Sequence, residues 1–427
     1  MEGFIVVAAF VGLFVLGFPV VLAIGIPCIV YILAKGLPVD LIAQRTLYAL
    51  DSFPLVAVPV FLFVGSLMNS AGISRYIYQF ADTATGRLPG GLAQVNIFGS
   101  LIFAGMSGSA LADIGGLGRI EIDAMKKKGF SPAFAAAVTS SSAIVGPIFP
   151  PSIPLIIYGT VTGVSVIQLL LGGILPGLVC VAMLMLMTAW LAMRRGYPRA
   201  PRWPTAKELW RDFKPAAPAI AAPVILIAGM LLGYFTPTEI ASVTVLYAVL
   251  ISGLFYRELT WKGLLDAAYE TIRASAGILL IVAVAALFGW ILSVEQVPQA
   301  LTGWMLSVST NPYALLFIVN LLLLVVGMFL DSTTAILVIA PIIAKPLVAA
   351  GVDPVHLGMV VVFNLMIGLL TPPMGLALFL VGDIARVSMK DVLKAMAPYY
   401  VPLAITLLLI TYIPGITTWI PTWALGN

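Results

Sequence analysis

Charge is what this chain lacks most. Only 9% of its residues are Asp, Glu, Lys or Arg, while 61% are hydrophobic; a soluble protein carries roughly a quarter charged residues. So few charges cannot coat a water-facing surface, and lipid is therefore the main solvent. Histidine is reduced to His356, and cysteine to Cys28 and Cys180. Both cysteines fall in apolar runs, which argues against a disulfide framework or a thiolate metal site. His356 follows the turn Val352-Asp353-Pro354 with nothing ligand-like near it in sequence, and reads as a loop or helix-start residue. No phosphate-binding loop is present, so ATP is excluded as the energy source. The start, Met1-Glu2-Gly3, lacks the basic residues and cleavage site of a signal peptide and is kept as part of a span.

What the chain has instead is apolar runs long enough to cross a bilayer. An all-α, polytopic membrane protein is expected, with spans at 4–34, 53–72, 130–164, 166–193, 216–235, 237–256, 274–294, 355–386 and 397–418. Two further stretches, 92–124 and 313–349, are interrupted at Met106-Ser107-Gly108-Ser109 and at Leu330-Asp331-Ser332-Thr333-Thr334. Each half looks too short to cross. They read as re-entrant helical hairpins with tips at mid-membrane. Val39–Leu50 and Thr260–Arg273 read as amphipathic helices on opposite membrane faces.

The net charge of +4 reports orientation rather than nucleic-acid binding. All but four of the 22 Lys and Arg residues fall on one side of this span pattern; Lys35, Arg45 and Lys345 fall on the other, and Arg119 lies within the first hairpin. Positive-inside bias then places the N-terminus in the cytoplasm and the C-terminus in the periplasm.

The two halves match at an offset of 222 residues. Gly105-Met106 pairs with Gly327-Met328, Gly129 with Gly351, Pro132 with Pro354, Gly146 with Gly368, Pro150-Pro151 with Pro372-Pro373, and Pro176 with Pro398. What repeats is a pattern of chain breakers. A first repeat is expected over 1–193 (hairpin 92–124, broken helix 130–164) and a second over 236–427 (hairpin 313–349, broken helix 355–386). The basic linker and connecting span 194–235 lie between them and invert the second repeat. Inverted repeats with broken helices meeting at the midplane are a recurring transporter plan.

Broken helices in lipid leave peptide groups without partners, and such backbone survives only where protein, water or a ligand satisfies it. The four breaks are Ser107–Ser109, Gly146–Ser152, Asp331–Thr334 and Thr371–Gly375, with Ser140, Ser141, Ser142 and Asn364 around them. Sodium, a hard cation, takes oxygen ligands of this kind, and half-helix N-termini suit a carboxylate. The candidate sodium and substrate residues are Ser107, Gly108, Ser109, Asp113, Ser142, Gly146, Pro150, Asp331, Ser332, Thr333, Asn364, Gly368, Thr371 and Pro372. Intramembrane carboxylates are costly and usually functional. The bland alternatives are helix capping by Asp331 and carbonyl bonding by the serines. Thr236-Pro237-Thr238-Glu239 reads as a capping box.

The segments Gly105-Met106-Ser107-Gly108-Ser109-Ala110-Leu111-Ala112-Asp113, Gly146-Pro147-Ile148-Phe149-Pro150-Pro151-Ser152, Phe235-Thr236-Pro237-Thr238-Glu239 and Thr371-Pro372-Pro373-Met374-Gly375 resemble, in order, the large membrane subunit of tripartite ATP-independent periplasmic (TRAP) transporters. The resemblance spans essentially the whole chain. It implies an inner-membrane importer of small organic anions, dicarboxylates among them, coupled to sodium and moving as an elevator. It also implies two partners: a small four-helix membrane subunit, expected as a separate chain because no such segment precedes Met1, and a periplasmic substrate-binding protein. No cofactor beyond the coupling ion is expected.

A stand-alone anion/sodium symporter or ion antiporter of similar design is the alternative. An intramembrane protease is disfavoured. Asp113 and Asp331 lack the Gly-x-Gly-Asp context of aspartyl enzymes, and a serine nucleophile needs a base, whereas the single histidine lies at a loop. A channel fits opposed re-entrant hairpins less well than alternating access does.

Overall fold

In lipid every backbone N–H and C=O must be satisfied within its own segment, so apolar runs become helices and helix ends need a reason. The computed structural model describes residues 2–373 and 375–426; Met1, Asn427 and Met374 of the Thr371–Gly375 motif lie outside the described residues. The first half forms α1 (Glu2–Val15), α2 (Val20–Ala34), α3 (Asp40–Leu50), α4 (Phe53–Ser70), α5 (Ser74–Thr85), α6 (Leu92–Ser107), α7 (Ala110–Gly115), α8 (Leu117–Lys127), α9 (Pro132–Ala143), α10 (Ile153–Thr162), α11 (Val166–Gly172) and α12 (Ile174–Arg195). The second forms α13 (Ala206–Leu231), α14 (Pro237–Leu250), α15 (Trp261–Val294), α16 (Val297–Val308), α17 (Pro312–Phe329), α18 (Ser332–Ala349), α19 (Pro354–Gly368), α20 (Leu376–Ala385), α21 (Met389–Met396), α22 (Tyr400–Tyr412) and α23 (Gly415–Leu425).

Shifting the first half by 222 residues lays α4 on the second part of α15, α5 on α16, α6 on α17, α7 and α8 on α18, α9 on α19, α10 on α20 and α12 on α22. Equivalent helices pack on each other: α4 against α15 in an outer frame, and α12 against α22 in an inner group. An odd number of crossings (α4, α9/α10, α11/α12, α13, α14) separates equivalent points, so the repeats have inverted topology.

Local chemistry sets the helix starts. Thr236 and Glu239 form the expected capping box, with Pro237 at the first helical position. A second box, Thr205 with Glu208, starts α13 inside the basic linker, ten residues before the span expected at 216–235. Such caps stabilise a helix by ~1 kcal/mol. His356 sits in the first turn of α19, as expected. Its ring nitrogens reach the Thr417 hydroxyl at 3.0 Å and the Thr411 carbonyl at 3.2 Å, tying α19 to the C-terminal helices.

The fold corrects four readings of the spans. The run 4–34 is not one crossing: it turns at Leu16–Pro19 into the packed pair α1 and α2. Glu2 and Lys35 form an ion pair of 2.6 Å, and the Tyr31 hydroxyl donates to Glu295 at 2.8 Å. Glu2 therefore lies on the Lys35 face, opposite to the side expected for the N-terminus. Gly17 (φ +87°) and Pro19 make this turn, and hydropathy cannot see it because Leu16 and Phe18 are apolar too. The sides assigned from Lys35 onward do not depend on it.

Second, 260–273 and 274–294 are one 34-residue helix, α15, ~51 Å long. Ser52 and Pro54 interrupt the chain between α3 and α4, whereas Ala274-Ser275-Ala276 offers no breaker. Third, the arms of the second hairpin are 18 residues each and are not too short to cross; Pro341 and Pro346 do not stop α18. Fourth, the last span ends at Tyr412, where Pro414 starts the separate helix α23.

The hairpin arm α17 reaches α19 through a backbone-to-backbone contact. A Cβ on Gly368 would lie 2.5 Å from the Cα and carbonyl carbon of Gly327. Gly368→Ala should therefore lower stability by about 1–3 kcal/mol through overpacking, read as a fall in thermal midpoint in detergent. Gly12→Ala on α1, where a Cβ meets open space, should leave the midpoint unchanged.

Candidate functional site

The first hairpin tip rests in the gap of its own repeat's broken helix, and the second hairpin packs against the end of α19, where its repeat's helix breaks. Gly108 ends α6 in the left-handed conformation (φ +60°), and a Cβ there would lie 2.5 Å from the Pro151 carbonyl oxygen. Gly146 sits beside the Ser109 backbone, with its Cβ position 3.5 Å from the Ser109 nitrogen and carbonyl carbon. In the second repeat the close approach is made by Gly327, inside α17 and short of the tip, to Gly368 at the end of α19. Pro150-Pro151 and Pro372-Pro373, one doublet in each gap, are both joined by cis peptide bonds. Beyond the gaps the repeats cross: α10 packs on α18 and α19, and α20 packs on α7, α8 and α9. These crossings bring the four interruptions into one region.

The interruptions are capped in a matching way. Ser109 and Asp331, equivalent at the 222-residue offset, are the N-caps of α7 and α18. The Ser109 hydroxyl accepts from the Ala112 N–H at 3.4 Å. The Asp331 carboxylate accepts from the Thr334 N–H at 3.1 Å and from the Thr334 hydroxyl. Asp331 thus caps its helix, with Ser332 and Thr333 half-buried in the first turn. Ser152 caps α10, accepting from the Leu155 N–H at 3.2 Å and donating to the Pro147 carbonyl. The N-termini of α10 and α18 carry partial positive charge at the interruptions.

A second matching pair pins the broken helices to the hairpins. Ser142 and Asn364 are equivalent at the same offset. The Ser142 hydroxyl donates to Asn96 Oδ1 on α6 at 2.8 Å, and Asn96 Nδ2 donates to the Thr139 hydroxyl at 2.6 Å. Asn364 Nδ2 donates to Asn320 Oδ1 on α17 at 2.7 Å, and Asn320 Nδ2 donates to the Thr411 hydroxyl at 2.9 Å. Asn96 and Asn320 were not among the sequence candidates. Their signal was an asparagine in each apolar first arm, at positions two residues out of register with the offset.

Several buried acceptors near the gaps have no hydrogen-bond partner: Ser107 Oγ, Asp113 Oδ1 and Asn364 Oδ1. Glu121 on α8, also outside the sequence candidates, is buried with both carboxylate oxygens unpartnered. Other hydroxyls are already engaged. Ser140 and Ser141 each donate to a carbonyl of their own helix, and Thr371, in the gap, donates back to the Ile367 carbonyl near the end of α19. The region therefore combines unpartnered oxygens, which suit a hard cation, with helix N-termini, which suit an anion.

A family model described as "Tripartite ATP-independent periplasmic transporter, DctM component" matches residues 6–416. The sialic acid TRAP transporter large permease protein SiaM of Vibrio cholerae is 40% identical over 416 residues, covering 97% of each chain. The C4-dicarboxylate TRAP transporter large permease protein DctM of the same species is 32% identical over 440 residues, covering 97% of this chain and 96% of the relative. The crystal structure of the Alcanivorax borkumensis YdaH transporter, described as having an unusual topology, superposes with a TM-score of 0.58 over 88% of each chain at 16% identity. That last likeness concerns the fold alone.

Removing one polar pin should loosen one hairpin selectively. Asn320→Leu is expected to cost about 1–2 kcal/mol and to speed hydrogen exchange at the tip around 327–334, leaving the tip around 105–112 protected. Equal loosening of both tips, measured by exchange mass spectrometry, would contradict the separate pins.

Proposed function

Because the chain belongs to the DctM component family of TRAP transporters, a family of transporter subunits rather than enzymes, we propose that it imports a small organic carboxylate together with sodium across the bacterial inner membrane. The observation that carries this reading is the packing of both hairpins on the interrupted ends of the broken helices, beside unpartnered buried oxygens. Sodium would be held by Ser107, Asn364 and freed carbonyls at the gaps, and the cargo carboxylate by the N-termini of α10 and α18. Asp331 keeps α18 intact at the tip. An ion among these oxygens lowers the cost of burying them, so co-ion and anion favour each other's binding.

The proposed movement is an elevator. The inner group, carrying both hairpins and both broken helices, slides against the frame in which α4 packs on α14 and α15. Positive-inside bias puts the Arg- and Lys-rich face in the cytoplasm. With Glu2 on the Lys35 face, both chain ends then lie in the periplasm. The partners would be a small membrane subunit and a periplasmic binding protein, which delivers the cargo. The cargo named for one relative is sialic acid and for another C4-dicarboxylates, and a carboxylate is common to both.

Uptake into proteoliposomes containing both partners should require an inward sodium gradient. Uptake driven equally by a proton gradient would remove sodium, and uptake by this chain alone would favour the stand-alone symporter. Asp331→Ala should lower the sodium-driven rate about tenfold, the equivalent of ~1.4 kcal/mol. Asp331→Ser tests the reason, since serine caps the matching helix at Ser109. Full recovery with serine would leave Asp331 as a cap only, and recovery limited to assembly would give its charge a part in binding.

A further inference from the structure

Of the three basic side chains on the face that carries Glu2, two are engaged. Lys35 pairs with Glu2 at 2.6 Å, and the Arg45 guanidinium lies over the Trp290 ring at 5.0 Å from its centre. The third, Lys345 near the end of α18, is exposed and has no ion-pair partner among the described residues. It stands on the ridge between two cavities. One, of about 560 Å³, opens between frame and inner group, with Asp51, Ser293 and Thr162 in its wall. The other, of about 780 Å³, lies between α10, α11, α18, α19 and α23. Lys345 and Thr162 line both. These volumes suit a small molecule.

The larger cavity has a second feature. Tyr158 lines it, is fully buried, and its hydroxyl has no hydrogen-bond partner. A buried hydroxyl without a partner costs free energy that a bound polar group recovers. Ser165 and Gln168 add further donors and acceptors, and Asp353 lies in the same wall. Asp353 already holds the His356 N–H at 2.8 Å.

We propose that this cavity is a staging site for the cargo, where Lys345 holds the carboxylate and Tyr158 a hydroxyl of a hydroxylated monocarboxylic acid such as a sugar acid. The charges decide the class. There is one cation, and each chamber also has an aspartate, Asp353 in one and Asp51 in the other. A second carboxylate on the ligand would face an aspartate, whereas hydroxyl groups can bond to it. A monoanion with several hydroxyls fits, and a dicarboxylate is repelled. The site lies on the side from which imported cargo arrives, and in that respect rests on the import reading.

The test is equilibrium dialysis of the full chain with its small membrane subunit in phosphatidylcholine nanodiscs. Sodium-free choline buffer keeps the sodium-dependent midplane site from contributing. Glucuronate should bind more tightly than succinate. Lys345→Met should weaken glucuronate binding about tenfold and Tyr158→Phe about threefold, with Lys345→Arg retaining most of it. Succinate or inorganic phosphate binding as well as glucuronate would overturn the proposal, as would Lys345→Met without effect. Displacement of glucuronate by phosphatidylglycerol would assign the cavity to a lipid headgroup instead. If the reconstituted wild-type complex shows no uptake while glucuronate binding stays sensitive to Lys345, the import reading falls and the staging site stands.

Discussion

The structure depends on one constraint: a peptide group exposed inside the bilayer must find a partner. Glycine and proline open both broken helices in an otherwise apolar interior, and each interruption is met by the hairpin of the same repeat. Gly108 allows the first tip to approach the Pro151 carbonyl. Gly327 and Gly368 allow two backbones to touch in the second. A side chain at any of these positions would push the tip out and leave peptide groups with no water to bond. The hairpins are therefore structural plugs, and the same docking gathers oxygens left without partners.

Polar residues in the interior divide between holding the frame of the site and standing ready within it. Asn96 with Ser142, and Asn320 with Asn364, spend most of their bonding capacity on fixing helix to hairpin. Ser140 and Ser141 return their hydroxyls to their own helix, and Thr371 returns its hydroxyl to the end of the helix before it. Ser107, Asp113 and Glu121 keep acceptors free. The contrast explains why a run such as Ser140-Ser141-Ser142 carries less chemistry than its composition suggests: all three bond to carbonyls of their own helix, and across to other helices Ser140 reaches only the Met396 sulfur while Ser142 reaches the Asn96 amide.

Much of the architecture was legible in the sequence because it is written in breakers. The doublets Pro150-Pro151 and Pro372-Pro373, and the tips at Ser107–Ser109 and Asp331–Thr334, interrupt helices where expected, and their common offset exposed the repeat. The turn at Gly17–Pro19 was hidden because one Gly and one Pro in a wholly apolar run leave hydropathy unchanged. The continuity of α15 was hidden because a change from amphipathic to apolar composition looks like a boundary, although helix bonding ignores it. In the site, residues in broken segments could be located, but which hydroxyls were already bonded depended on partners dozens of residues away, as with Asn96 and Ser142. Register within the repeat also drifts: the two asparagines do not fall at the offset that aligns the breakers.

The uninterrupted α15 has a consequence for energetics. Were the two repeats interchangeable, swapping their conformations would turn an inward-open carrier into its outward-open counterpart at equal free energy. One repeat meets the membrane surface with a jointed pair, α3 and α4, and the other with a single rigid spar. The exchange is therefore lopsided: a hinge can yield on one side of the bilayer where the other side offers only a stiff beam. Two conformations related by that exchange therefore differ in free energy even when nothing is bound.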